Sequence, residues 1–121
     1  IGSISIKRNK TTKDNIGFFE EISKLKNTSE RPLIIFPQGT RLLPNDRFPF
    51  KKGAGRIYKE LNIMCQPVAI NSGYTWPKFG FKKANLNLTV SILKPIKPGL
   101  NNDIFLKNLE SQIYAELDIL N

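Results

Sequence analysis

Pro32-Leu33-Ile34-Ile35-Phe36-Pro37-Gln38-Gly39-Thr40-Arg41 is the stretch on which the reading of this chain turns. A short apolar run bracketed by prolines is the pattern of a strand covered on both faces, so Pro32 to Phe36 is expected as a buried strand. The chain then breaks at Pro37. In four consecutive positions it offers an amide (Gln38), a glycine backbone (Gly39), a hydroxyl (Thr40) and a guanidinium (Arg41). Ligands of α/β sheets bind beyond the carboxyl ends of strands, where this turn would lie. Gly39 permits a turn with convergent N–H groups, and the planar fork of Arg41 matches a phosphate through two charge-assisted hydrogen bonds. Taken alone, the turn fits a plain loop with a surface arginine as well as a phosphate site.

Outward from this run, strand and helix patterns alternate. Ser3-Ile4-Ser5-Ile6 reads as a short strand ending at Lys7-Arg8. Thr12 is placed to cap a helix with Ile16, Phe19, Ile22 and Leu25 inward and Phe18 widening that face. Asn27-Thr28-Ser29-Glu30 interrupts it. Beyond the loop from Pro37 to Lys52, a helix from Gly53 to Asn62 is expected to bury Ala54, Ile57, Tyr58 and Leu61. Gln66 to Ile70 reads as a strand, left through Asn71-Ser72-Gly73. Leu86, Leu88, Val90 and Ile92 alternate with polar residues, as in a strand with one buried face. Pro95 and Pro98-Gly99 end that strand. Asn102 is placed to cap a last helix with Ile104, Leu106, Leu109, Ile113, Leu117 and Leu120 inward. The expected fold is α/β, a largely parallel sheet flanked by helices, without repeats or low-complexity linkers.

The chain of 121 residues is the size of one domain, able to bury roughly two-thirds of its unfolded surface. Hydrophobic residues make up 40% of it, which fits a packed core and excludes a disordered chain. Lys and Arg number 19 against 10 Asp and Glu, a net charge of +9 that favours anionic partners: nucleic acid, anionic lipid or phosphorylated small molecules. The lone Cys65 sits among apolar neighbours and reads as a structural thiol in a reducing compartment. There is no histidine, and the scattered carboxylates suggest no metal site. No apolar stretch is long enough to span a bilayer. The chain opens on Ile1, as if within a strand, and reads as a piece whose beginning lies elsewhere.

Two further groups carry open alternatives. In Thr75-Trp76-Pro77-Lys78-Phe79-Gly80-Phe81-Lys82-Lys83, three aromatics alternate with lysines. Trp76, Phe79 and Phe81 suit a membrane-touching loop or the lip of an acyl-chain site; equally, Trp76 and Phe79 suit folding back onto the core. Lys51 and Lys52, just before a helix, fit a donor phosphate or an exposed charged pair. Asp46 and Arg47 read as loop decoration, and Glu20, Glu21 and Lys24 as a solvated helix face.

Ile35-Phe36-Pro37-Gln38-Gly39-Thr40-Arg41 resembles the Phe-Pro-Glu-Gly-Thr-Arg block of the glycerolipid acyltransferases, the 1-acylglycerol-3-phosphate acyltransferase family. Ile1-Gly2-Ser3-Ile4-Ser5-Ile6-Lys7-Arg8 resembles the preceding block, an apolar strand followed by Asp-Arg. Phe50-Lys51-Lys52-Gly53-Ala54, Gln66-Pro67-Val68-Ala69-Ile70-Asn71 and Pro95-Ile96-Lys97-Pro98-Gly99 are similar to later segments in the family's order. The resemblance spans nearly the whole chain.

It implies that residues 1–121 are the C-terminal part of a single acyltransferase domain. The reaction implied is acyl transfer from acyl-CoA or acyl carrier protein to the hydroxyl of a lysophosphatidate-type acceptor, at the cytoplasmic face of a membrane and with no cofactor. The family's His-x-x-x-x-Asp block, whose histidine deprotonates the acceptor, would precede Ile1, so the chain alone is expected to be inactive. Arg8, Thr40 and Arg41 match blocks credited with holding the acceptor phosphate, with Gln38 and Gly39 completing the turn. Two positions depart from the pattern: Gln38 replaces the usual glutamate and Lys7 the usual aspartate. The competing readings are a catalytically silent acyltransferase-like protein and a basic nucleic-acid-binding module, the latter lacking any known motif.

Overall fold

The computed structural model describes residues 16–28, 30–82 and 86–120. Along them run α1 (Ile16–Thr28), α2 (Lys52–Leu61), β1 (Val68–Ile70), α3 (Ser72–Thr75), β2 (Val90–Ile92) and α4 (Asn102–Leu120). The expected strand at residues 3–6, the Thr12 cap and Arg8 lie outside the described residues.

The short helix α2 organises the core because its apolar positions face two ways. Ala54, Ile57, Tyr58 and Leu61 are all buried, as their spacing predicts. Ile57 and Leu61 join Phe19 and Ile22 of α1, with Phe18, Leu33 and Ile35 at the margin. Tyr58 joins the second cluster, with Phe50, Ile96, Phe105, Leu109 and Tyr114. Its ring stacks on Phe105 at 3.7 Å, nearly parallel. The Tyr58 hydroxyl donates to Lys97 O at 2.5 Å and accepts from the Leu100 N–H at 3.0 Å, so the buried phenol leaves nothing unpaired. A Cβ on Gly55 would stand 3.4 Å from Leu106, in ordinary contact with α4. Toward α1, Ser23 Oγ donates to Glu60 Oε2 at 3.0 Å and the Arg56 guanidinium lies 4.0 Å from the Phe19 ring centre. Asn62 ends α2 in the left-handed region (φ 49°), its N–H returning to Tyr58 O.

The last helix begins one position earlier in its capping than expected. Asn101, not Asn102, supplies the cap: its side-chain oxygen accepts the Asp103 N–H at 2.8 Å and its carbonyl the Phe105 N–H at 2.8 Å. The buried stripe is correspondingly rotated. Phe105, Leu109 and Tyr114 are buried, Leu106, Ile113 and Leu117 pack at the edge, and Ile104 is exposed. Stacking on Tyr58 draws the larger Phe105 inward in place of Ile104.

The sheet corrects the expectation of a largely parallel arrangement. Among the described residues it has two strands, β1 and β2, paired antiparallel with Val68 opposite Ile92, Ala69 opposite Ser91 and Ile70 opposite Val90. Pairing continues through Leu93 N–H to Pro67 O at 3.0 Å and a bridge between Cys65 and Ile96. A parallel return needs a crossover, usually a full helix, whereas the described residues between β1 and β2 hold the single turn α3. One face of this ribbon lies on α4: Ala69 is fully buried, and Ser91 Oγ donates to Glu116 Oε1 at 2.9 Å. The alternating apolar residues take the opposite side. Val68, Ile70, Val90 and Ile92 are exposed, as are Leu86 and Leu88, which reverses the inward face read from their spacing. Close helix packing favours the small pair Ala69 and Ser91.

Pro32 to Phe36 likewise departs from a strand buried on both faces. It forms no strand among the described residues. Leu33 and Ile35 pack against the α1–α2 cluster, while Ile34 and Phe36 are 77% and 78% exposed. Among the described residues, the apolar run is covered on one side.

Candidate functional site

The turn after Phe36 forms where proline and glycine dictate it. The Gly39 N–H closes back on Phe36 O at 3.0 Å, and Gly39 has φ +76°, a conformation side chains resist. That amide is used by the turn itself, so it does not join a set of free convergent donors. The Lys51 N–H reaches Pro37 O at 2.8 Å and brings the far end of the loop back to its start. The Lys51 side chain crosses Gly39, its Cγ standing 3.1 Å from where a Cβ would be. A residue expected as either donor contact or exposed charge is thus part of the turn, while remaining exposed.

Thr40 and Arg41 stand exposed beyond Gly39. The Arg41 guanidinium lies 5.6 Å from the centre of the Trp76 ring, and Lys82 Nζ lies 3.8 Å from the same ring. Two cations on one indole join the Gly39 turn to the aromatic-basic loop, two segments the sequence suggests separately. Lys78 Nζ lies 5.5 Å from the Phe79 ring. Trp76, Phe79 and Phe81 are 53%, 75% and 93% exposed, so none is folded back into the core. Beneath them, Pro44 packs 3.1 Å from where a Cβ of Gly73 would stand, and the Tyr74 hydroxyl donates to Asn45 Oδ1 at 3.2 Å. The short helix α3 thereby seats the first part of the loop.

The second part of the loop is held by α4. The Phe50 N–H donates to Glu110 Oε2 at 3.0 Å, the Tyr114 hydroxyl donates to Phe48 O at 2.5 Å, and Arg47 bridges to Asp118 at 2.6 Å. Glu110, Tyr114 and Asp118 recur every four residues and so form one stripe on α4. The Arg47 guanidinium lies 5.2 Å from the Tyr114 ring centre and also donates to Pro44 O and Asp46 O. Asp46 folds the loop by accepting the Leu43 N–H at 3.0 Å. Asp46 and Arg47 are therefore structural parts of the loop and not decoration. The four-residue spacing of two carboxylates and a tyrosine was the available signal for this stripe; its target is invisible in sequence.

Gln38 completes the arrangement. Its Nε2 lies 3.4 Å from the Tyr114 hydroxyl, so the side chain reaches α4. Arg8 lies outside the described residues and its relation to Arg41 is not part of this geometry. Burial pushes the Cys65 thiol above its ordinary pKa, which suits a packing role beside Ile96. Among the described residues no three His, Cys, Asp or Glu side chains gather as a metal site would require, and no helix is long and apolar enough to cross a membrane.

A search against family models matches residues 1–71 to the family described as Acyltransferase. Among curated proteins, the chain is 30% identical over 95 residues to a protein of Helicobacter pylori (strain J99) named 1-acyl-sn-glycerol-3-phosphate acyltransferase. The match takes in 77% of this chain and 40% of that relative, so the chain spans well under half of the relative's length. No solved structure matches. The family match ends between β1 and α3, contains the Gln38–Arg41 turn and excludes α4. With more than half of its residues inside that match, and the turn at Gly39 built as described, the chain belongs to the acyltransferase family.

Proposed function

We propose that this chain supplies the acceptor-phosphate site of an enzyme that moves an acyl group from acyl-CoA or acyl carrier protein to a lysophosphatidate-type acceptor. The observation that carries the reading is the convergence of Arg41 and Lys82 on Trp76 beside the Gly39 turn. A guanidinium and an ammonium beside an exposed indole suit a ligand with a phosphate at one end and an apolar chain at the other. Thr40 offers a hydroxyl donor next to them, and Arg8 is assigned to the same phosphate. In the reaction, the acceptor hydroxyl attacks the thioester carbonyl; a C–O ester bond forms, the C–S bond breaks, and the thiol leaves. The hydroxyl proton passes to a base. No histidine is present here, so the base is assigned to residues of a complete domain outside these 121.

Phe79 and Phe81, exposed among lysines, are read as contacts with the cytoplasmic face of an anionic membrane. The test is a titration of the chain with glycerol 3-phosphate, the soluble headgroup, followed by chemical shifts. Saturable binding centred on residues 39–41 is expected. Arg41→Ala should weaken it about five- to thirtyfold, the loss of about 1–2 kcal/mol of charge-assisted bonding at an exposed site. Unaltered affinity in Arg41→Ala, or no binding at all, overturns the assignment.

A further inference from the structure

The glutamine that replaces the family's glutamate has a stereochemical reason in α4. A tyrosine hydroxyl has one proton to give and lone pairs to receive. The Tyr114 proton is committed to Phe48 O, at 2.5 Å, because a carbonyl oxygen can only accept. Gln38 therefore meets the hydroxyl as a donor through Nε2–H, at 3.4 Å. A carboxylate at position 38 has no hydrogen to offer. It would either face the hydroxyl's lone pairs or draw the proton away from Phe48 and release the loop. Tyr114 does not move to suit, since its buried ring packs edge-on to Phe50 at 5.1 Å and lies beside the Arg47 guanidinium.

We propose that Gln38 is a positioning residue: through Tyr114 it ties the turn bearing Thr40 and Arg41 to α4 and so sets where the phosphate-holding groups stand. This rests on the reading of that turn as a phosphate site. It adds a requirement that Tyr114, outside the family match, and Gln38 be suited to each other. The tie is a long one, so its effect is moderate and local. The Gly39 N–H on Phe36 O and the Lys51 N–H on Pro37 O are the amides that report it.

The test uses the whole chain, labelled with 15N, in four forms besides the parent. Gln38→Glu and Gln38→Met both keep the length and lose the donor, and the neutral methionine separates donor loss from added charge. Tyr114→Phe keeps the ring and removes only the hydroxyl. The fourth form combines Gln38→Met with Tyr114→Phe. Hydrogen exchange at Gly39 and Lys51 should quicken about two- to fivefold in the two Gln38 variants, the size of one weak hydrogen bond, and at least as much in Tyr114→Phe, which also loses the bond to Phe48 O, with the Leu109 and Phe105 amides unchanged. In the double variant exchange should be no faster than in Tyr114→Phe, because the two groups act as one. Glycerol 3-phosphate binding should weaken by a similar factor in Gln38→Met. Unchanged exchange in Gln38→Met and Tyr114→Phe, or effects that add in the double variant, overturns the tie. Binding that weakens in Arg41→Ala yet is untouched in Gln38→Met and Tyr114→Phe overturns the positioning role and leaves the phosphate site standing. Absence of glycerol 3-phosphate binding to the parent overturns the phosphate reading, and the exchange rates still decide whether Gln38 holds the turn.

Discussion

The two halves of the loop between Pro37 and Lys51 are built on opposite terms. Residues 47–50 are fastened to α4 by three successive contacts, and Phe50 is part of the buried core. Residues 39–41 are exposed, turned by a glycine at positive φ and flanked by cations. In the fastened half, carboxylates and a phenol pair with the Phe50 N–H, the Phe48 carbonyl and one end of Arg47, while Arg47 Nε is buried without a partner. The free half keeps a hydroxyl and a guanidinium turned to solvent. Binding groups are commonly carried on loops that a rigid scaffold positions, and here an anchored base and an exposed tip belong to one loop.

Breaking the scaffold should have the largest consequence. Phe105→Ala removes the ring that stacks on Tyr58 and is expected to cost about 3–5 kcal/mol, read as a large fall in denaturation midpoint. A small loss there would show that α2 and α4 do not form the base on which the loop stands. Asp118→Asn keeps the size and removes the charge of an exposed pair, so a loss of about 0.2–1 kcal/mol is expected in the same measurement. A larger cost would make the outermost contact of the stripe a principal anchor. Cys65, packed against the same cluster, sharpens the comparison through pH. Burial raises its pKa above 9.0 in the folded chain, so the unfolded chain releases this proton first. Its contribution to stability is present below pH 9 and is lost as pH climbs through the raised value, while alkylation by iodoacetamide stays slow at neutral pH. Rapid neutral alkylation would mean that the fastened half opens as readily as the tip.

The elements legible in sequence were the helices whose apolar spacing marks a single buried face. The stripe Ala54, Ile57, Tyr58 and Leu61 is buried as its spacing predicts, and Phe19 and Ile22 fix the inner face of α1. The strands were less legible because alternation marks two faces without saying which one a helix will cover. Ser91 and Ala69 took the α4 side through one hydrogen bond and small size, and the branched residues were left outward. The turn at Gly39 was readable from Pro37 and the glycine. Trp76 approaching Arg41, and α4 receiving Gln38 and Arg47, depend on contacts between distant segments that no local pattern encodes.

The outward side of the β ribbon has a consequence for the chain in solution. Val68, Ile70, Val90 and Ile92 make an adhesive apolar surface on a molecule carrying a net charge of +9. At low ionic strength like charge keeps copies apart. Raising salt from about 0.01 M to 1 M shortens the screening length from about 30 Å to about 3 Å, removing that repulsion while leaving apolar attraction in place. The colloidal behaviour of the chain is therefore set by salt, and light scattering at rising ionic strength should show copies beginning to adhere, most strongly where these four side chains are intact.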